Sequence, residues 1–532
     1  MSSEVKDARS GGAGRALVRS AGLVSGLTLV SRLLGLVREQ VFAALLGAGL
    51  HADAFQIAFR IPNLLRDLFA EGSLSAAFVP TYARALTGEG RQGAHRLANR
   101  LLTLLAALIG ALTLVGFVLA GPLVAAMAPG FELVPGKTTI TVSLTRVMLP
   151  FLLLVSLAAV AMGMLNAEER FGFPAFAPAM FNVVTILWAA VLWALGYGPA
   201  QVALGWAVGT LLGGAAQFLI QLPPLRRGGF RFRPEWAPGD PGLRRIGALM
   251  LPATVGLAAV QVNIFVSGIY ASHEPGAVSW LNYAFRILYL PIGLFGVAIG
   301  TIASAGLARR AAAADTEGMR ETLRQALRMV AFLTIPATVG LITLGVPIVR
   351  LLYERGRFTP HDTHGTASAL GLYALGLVAY TGVKILAPAF YALGTPRVPL
   401  LGSTLAVGTN IAILAASYDA LGHRGVALGT AAGSLVNALV LLVVFERRVG
   451  GLTGRGVGPA LLRMIAAALL MAAPAWWVAR LLEQAVGVQG LVAQLVSGLL
   501  PVVVGALVYG AASHFLSIAE VRSLLSVLER RR

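Results

Sequence analysis

Long apolar runs recur along the entire chain, each about the length of a bilayer-crossing helix and each closed by a short cluster of Gly, Pro or Arg. A spanning helix needs roughly 20 mostly apolar residues. Fourteen segments satisfy this: 16–46, 52–86, 95–127, 138–167, 174–197, 200–223, 241–272, 277–307, 319–353, 362–393, 396–419, 424–446, 459–482 and 489–515. Charged residues make up only 12% of the chain, and the mean hydropathy is +0.79. A soluble domain carries about 25% charge, so too little charge is present to cover 532 residues of water-facing protein. Disordered chains are apolar-poor, which excludes them here. The absence of cysteine rules out a disulfide scaffold and thiolate chemistry. The expected fold is an all-α polytopic membrane protein.

The net charge of +19 is compatible with a nucleic-acid partner only if the arginines form a basic domain. They do not. They sit in short clusters between apolar runs, as the positive-inside rule produces, so no nucleic-acid partner is expected. The densest stretch, Arg226-Arg227, Arg231, Arg233 and Arg244-Arg245, lies between spans six and seven. Placing it inside puts the N-terminus in the cytoplasm and, with an even number of spans, the C-terminus too. Arg355 and Arg357 form the one dissenting outer loop. Residues 1–15 are polar and basic and read as a cytoplasmic tail, without a cleavable signal peptide.

Two short strings recur at nearly equal offsets. Val202-Ala-Leu-Gly205 returns as Val426-Ala-Leu-Gly429, and Ala58-Phe-Arg-Ile61 as Ala284-Phe-Arg-Ile287. Each pair falls in corresponding spans of a six-span set, and spans five and eleven each carry one Asn, Asn182 and Asn410. An even repeat preserves direction, so the expected halves are parallel six-helix repeats related by an axis along the membrane normal. The lobes are then 1–235 and 236–455, with two further helices and a tail in 456–532. Gly205, Gly209 and Gly213, and likewise Gly425, Gly429 and Gly433, form four-residue ladders of the kind that let helix backbones approach. They read as packing seams.

An ionisable group near the bilayer centre costs at least about 2.5–3.5 kcal/mol on insertion scales, so it usually faces a polar interior. Span one carries Ser31, Arg32, Arg38 and Glu39; span two carries Asp53, Arg60, Asn63, Arg66, Asp67 and Glu71; span eight carries Arg286. Span four has Arg146 and span ten Lys384. One reading pairs these charges with one another: Asn63–Asp67 and Asp67–Glu71 share a helix face, and Arg38–Glu39 form an interfacial pair. The other notes that Arg32, Arg60, Arg66 and Arg286 outnumber the nearby acids. A cationic cavity between the halves implies an anionic ligand, and arginine's planar fork suits phosphate or pyrophosphate.

The stretch Ser31-Arg-Leu-Leu-Gly-Leu-Val-Arg38, then Ala52-Asp-Ala-Phe55, Phe59-Arg-Ile-Pro-Asn-Leu-Leu-Arg66, Phe69-Ala-Glu-Gly72 and Ala77-Phe-Val-Pro80, closely resembles the MurJ/MviN family of lipid II flippases. Ala128-Pro-Gly-Phe131, Pro174-Ala-Phe-Ala-Pro178, Ser279-Trp280 with Arg286, and Lys384-Ile-Leu-Ala-Pro388 extend the resemblance over the whole chain. It implies a fourteen-helix fold of the multidrug/oligosaccharidyl-lipid/polysaccharide exporter type in the bacterial inner membrane. The implied activity is alternating access through a cationic central cavity, moving undecaprenyl-pyrophosphate-linked disaccharide-pentapeptide to the outer leaflet. The implied partners are lipid II, membrane lipids and cell-wall synthesis proteins, with no cofactor. By position, the family's cavity arginines fall on Arg32, Arg38, Arg66 and Arg286. Asp53, Asn63 and Glu71 match its polar positions, and Ser31 and Arg60 join them as substrate-binding candidates. Residues 459–515 match helices that help form a lipid-tail groove. Three departures stand out: Asp67 follows Arg66 where the family commonly has a second Arg, Phe285 replaces an acid before Arg286, and Ser267-Gly268 replaces an Asp-Arg pair. The last, together with Lys384, argues against sodium coupling.

Other chemistry finds little support. Gly130-Phe-Glu-Leu-Val-Pro-Gly-Lys-Thr138 has five residues between its glycines where a phosphate-binding loop has four. His361 and His364 lack a third metal ligand, and no metal is expected. No Ser-His-acid or paired-carboxylate set suggests an enzyme. The competing functions are another transporter of the same superfamily, whether an oligosaccharide-lipid flippase or a drug antiporter, and a non-transporting scaffold. A drug antiporter needs acidic cation sites, whereas the excess here is basic; a scaffold needs no charged cavity.

Overall fold

The computed structural model describes residues 4–66, 72–451 and 457–521, with the side chains of 4–21, 65, 72–73 and 252–260 left aside. Among the described residues every regular element is helical. The first unit, Met1–Gln261, contains α1 (Glu4–Leu46), α2 (Leu50–Arg66), α3 (Gly72–Gly88), α4 (Gly90–Val118), α5 (Ala120–Met127), α6 (Lys137–Met148), α7 (Phe151–Ala167), α8 (Gly172–Ala194), α9 (Pro199–Leu219), α10 (Leu222–Arg227) and the first part of α11 (Pro241–Ala271). The second unit, Val262–Arg532, takes the end of α11 and then α12 (Ala277–Pro291), α13 (Ala298–Ala312), α14 (Thr316–Thr343), α15 (Gly345–Tyr353), α16 (Pro360–Ala374), α17 (Leu377–Ala392), α18 (Arg397–Leu421), α19 (His423–Arg448), α20 (Val457–Val486) and α21 (Leu491–Phe515). The division falls inside α11 rather than at 235–236.

Within the described residues the apolar segments fall on helices, but several are broken where backbone chemistry requires it. The 138–167 segment divides at Pro150, which has no N–H to continue the ladder. After Pro291 a single π-helical stretch, Ile292–Val297, joins α12 to α13. The 362–393 segment bends by 46° between α16 and α17. By length and composition, ten described helices can cross a membrane, or eleven with that bent pair. The other three of the fourteen segments are the α1, α2–α3 and α11 stretches. Helix starts follow local signals. Thr359 and Asp362 form a capping box around Pro360 at the head of α16. Gly276, at φ +89°, turns the chain sharply into α12, a conformation that a Cβ would strain.

Each unit has its own core. In the first, Phe78, Tyr82, Leu97, Phe151, Leu152 and Phe181 join α3, α4, α7 and α8. In the second, Leu307, Leu323, Phe390 and Phe445 hold α13, α14, α17 and α19 together. Phe332, Met464 and Tyr509 join α14 to α20 and α21. Large apolar side chains such as Leu114, Trp193, Ile302, Leu469 and Leu507 remain exposed, as on helices that face hydrocarbon.

Both glycine ladders are helix seams, as expected. A Cβ on Gly205, Gly209 or Gly213 would lie 2.5, 2.6 or 2.7 Å from Leu192, Trp188 or Phe181 of α8. On Gly425, Gly429 or Gly433 it would lie 2.9, 2.5 or 2.6 Å from Ser417, Asn410 or Ala406 of α18. The two seams use corresponding helices of the two proposed repeats. The asparagines follow suit: Asn182 donates to the Ser31 carbonyl of α1 at 3.1 Å, and Asn410 to the Asn263 side chain of α11 at 2.5 Å.

Candidate functional site

In the first unit the polar groups of α1 and α2 separate into two kinds. Asp53 is fully buried and accepts a hydrogen bond from Lys137 Nζ at 2.8 Å. Lys137 opens α6 just after Gly136, whose φ of +77° brings the chain round. The lysine is equally enclosed, and its ammonium sits 4.1 Å from the centre of the Phe131 ring. The pair is shielded from water, so the Asp53 carboxylate is not among the groups open to a ligand. Sequence reasoning missed this partner, because Lys137 lies in a loop-like Pro-Gly-Lys stretch remote from Asp53. The odd phosphate-loop lookalike thus ends in a structural lysine.

Arg38 and Glu39 pair directly at 2.5 Å, as expected, and the Arg38 guanidinium also lies 5.1 Å from the Phe181 ring centre. Both are mostly buried. Ser31 is half-buried, with its carbonyl taken by Asn182. Arg32, one residue on, is exposed and makes no hydrogen bond or ion pair among the described residues. On α2, Asp53, Ala54, Ile57, Ala58 and Ile61 are buried, while Arg60, Asn63 and Arg66 are half-buried. The helix therefore presents its cationic residues away from its packed face. Asp67 and Glu71 lie outside the described residues.

In the second unit Arg286 occupies the corresponding face of α12. Tyr283, Ala284 and Ile287 around it are buried, and its Nε donates to Asn282 Oδ1 at 3.3 Å, one turn back. That contact orients the guanidinium along α12. Phe285, next to Arg286, lies edge-on to Tyr373, with centres 5.6 Å apart. Lys384 is exposed on α17. Ser267 joins the neutral cluster of Asn263 and Asn410, its Oγ 3.5 Å from the Asn410 amide nitrogen. His361 stacks edge-on against Trp280, and His364 turns to the Pro360 carbonyl, so both rings serve the head of α16.

A further polar knot ties the turn after α11 to α16 and α19. Glu274 accepts from the His423 backbone N–H at 2.7 Å and lies 2.8 Å from its Nδ1, while His423 Nε2 lies 3.0 Å from Ser368 Oγ. Burial opposes ionisation of Glu274, but the hydrogen bonds from His423 outweigh it and hold the carboxyl below its usual range.

In the first unit Arg32 of α1 offers a guanidinium with no carboxylate partner among the described residues, a group suited to an oxyanion. Comparison with known proteins gives this a context. The family described as Lipid II flippase MurJ matches residues 42–497. A relative from Vibrio cholerae named "Probable lipid II flippase MurJ" is 36% identical, over 80% of this chain and 82% of its own. One from Burkholderia cenocepacia named "Lipid II flippase MurJ" is 36% identical over 87% and 90%. Among solved structures, one titled "Lipid II flippase MurJ, inward closed conformation" matches with a TM-score of 0.76 and 25% identity, covering 94% of this chain and 99% of that one. An inward-facing multidrug transporter of the MATE family, within the MOP superfamily, matches with a TM-score of 0.67 over 82% of this chain and all of its own, at 17% identity. That second likeness bears on the fold alone.

Proposed function

The chain belongs to the lipid II flippase MurJ family, and from that premise we infer that it carries lipid II, the undecaprenyl-pyrophosphate-linked precursor of peptidoglycan, from the inner to the outer leaflet. It is a multi-pass helical membrane protein of the MOP type. The observation that carries the reading to the site is Arg32 of α1, exposed and without a counter-ion among the described residues. In this reading Arg32, Arg66 and Arg286 bind the pyrophosphate, Arg60 and Asn63 line its approach, and Arg38 is held by Glu39 and Phe181. Asp53 supports α2 from behind. The chain acts as a transporter, without a catalytic residue. Its place is the bacterial inner membrane, with both termini in the cytoplasm, and α20–α21 carry the lipid tail.

The drive follows from the second unit. Asn263, Ser267 and Asn410 make a neutral cluster, a weak ligand set for a cation. The membrane potential is the alternative source of work. Moving charge through the field is worth about 2.3 kcal/mol per elementary charge per 100 mV. Outward export of roughly two negative charges then gains about 4–5 kcal/mol per 100 mV, if the empty carrier returns with little net charge.

The test is lipid II flipping by the purified chain in sealed vesicles, in sodium and in potassium buffers, with and without an imposed potential. Flipping that is independent of sodium and faster with the inside negative is expected. No flipping at all would remove the transport reading; strict sodium dependence would remove the proposed drive. Single cysteines at Gly198 and Arg233 fix the orientation: the first should label from outside, the second only after permeabilisation.

A further inference from the structure

One cavity in the first unit lies apart from the arginines of α1 and α2. It holds about 770 Å³, within the range of sites that bind small organic ligands. Its walls are apolar, with Leu102 from α4, Leu157 and Met164 from α7 and Phe218 from α9, and its polar side chains are Arg226 and Arg231. Both arginines are exposed, and neither guanidinium has a carboxylate partner among the described residues. Nearby acids are already engaged: Glu235 and Asp240 bind Arg100 at 2.7 and 2.5 Å.

The position of Arg231 is fixed by the strand-like strap that follows α10. Asn99 of α4 donates to the Arg231 carbonyl at 3.3 Å and accepts from the Arg233 N–H at 3.2 Å, while Thr103 accepts from the Glu235 N–H at 3.0 Å. The strap is thus sewn along α4 by three side-chain contacts, and Phe230 packs inward from it. Phe232 and Trp236 on the same strap are exposed, as aromatic side chains are at a membrane interface. A cavity with apolar walls and two exposed arginines in its lining, beside exposed aromatics, has the polarity profile of one amphiphile.

We propose that this cavity binds one anionic phospholipid of the inner leaflet, one of its two acyl chains among Leu102, Leu157, Met164 and Phe218 and its phosphate on Arg226 and Arg231. Bidentate guanidinium–phosphate contacts hold the head, and the same two cations disfavour a zwitterionic head that carries its own ammonium, which supplies the selectivity for an anionic one. The volume suits one acyl chain, not a polyprenyl chain several times longer. The bound lipid would fill the void behind the strap and stiffen the start of the linker into α11. The leaflet named rests on the orientation given above; the binding itself does not.

The experiment is native mass spectrometry of the delipidated full chain, titrated with phosphatidylglycerol or phosphatidylcholine of matched acyl chains. Preference for phosphatidylglycerol on the order of tenfold is expected for the unaltered chain. Arg226→Gln/Arg231→Gln should bring that preference to within about twofold, and Ala106→Trp, which narrows the cavity, should lower occupancy by both lipids. The arginines are surface residues, so the double variant should keep the unfolding midpoint of the unaltered chain, a control measured alongside. Equal binding of the two lipids, or a preference that survives the double Gln variant, would overturn the proposal. So would displacement of phosphatidylglycerol by equimolar undecaprenyl phosphate, which would give the cavity to the substrate's tail. Flipping in vesicles by the double variant keeps this outcome distinct from any failure of the transport reading.

Discussion

Asp53 and Arg32 are close in sequence, both charged and both set in helices of the same unit, yet their circumstances are opposite. Asp53 is sealed against Lys137 with no water access. Arg32 is exposed and has no counter-ion among the described residues. The first is a solved electrostatic problem; the second is a charge still to be met. Intramembrane charges therefore divide by access and partner, not by identity. A set drawn up on charge alone mixes structural pairs with ligand groups. Arg286 is oriented by the amide of Asn282 one turn back.

The largest expected effect is on the sealed pair. Asp53→Ala or Lys137→Ala leaves a buried charge without its partner, a loss of about 3–5 kcal/mol. Membrane abundance and the thermal midpoint should fall together. Joint removal, Asp53→Ala/Lys137→Ala, should recover part of both, because no naked charge remains. A stable Asp53→Ala protein that no longer flips lipid II would break the comparison and return Asp53 to the ligand set.

Next come the accessible arginines. Arg286→Lys and Arg32→Lys keep the charge but lose the bidentate fork. Complementation and vesicle flipping should drop on the order of tenfold at unchanged abundance, with the Ala variants worse. Two such variants combined, Arg32→Ala/Arg286→Ala, should be less than additive if both residues serve one ligand. Wild-type flipping in both Lys variants would make their ligand role untenable. Asp67 offers a separate check: full rescue of Arg66→Ala by Asp67→Ala would assign Arg66 to charge balance instead.

The smallest effect concerns Glu274, a pair of intermediate character, since Glu274 is about one-third exposed while His423 is nearly buried. Losing its hydrogen bonds should cost about 1–2 kcal/mol after allowance for solvent screening. Its carboxyl is held below the usual range, so its contribution is present above ordinary carboxylate pH and fades as pH falls through the lowered value. Glu274→Gln should flatten that acid limb of the thermal stability profile. An unchanged limb would show that the tie with His423 contributes nothing.

The helical segments were legible because apolar length and Arg-rich breaks are one-dimensional signals. Pro150 and Pro291 mark where ladders fail, and both mark breaks in the described structure. The glycine ladders were legible for the same reason: four-residue spacing puts small residues on one helix face whatever the neighbour is. Arg38–Glu39 could be read as a pair because its members are adjacent. Lys137 could not be matched to Asp53, since no local pattern connects them. The Asn99–Thr103 seam holding the 231–235 strap was equally hidden, as was the cavity behind it.

By itself, then, the sequence determined that this chain is a bundle of membrane-length helices, carries surplus guanidinium groups in α1, α2 and α12, and has the motifs of its family. Those properties follow from composition and spacing along one dimension. Only the tertiary structure decided which charges are spent and which are free, because neutralisation depends on distances between residues far apart in the chain, and attraction between charges falls with separation and with access to water. Lys137 against Asp53, and the absence of any such partner at Arg32 among the described residues, are decided there.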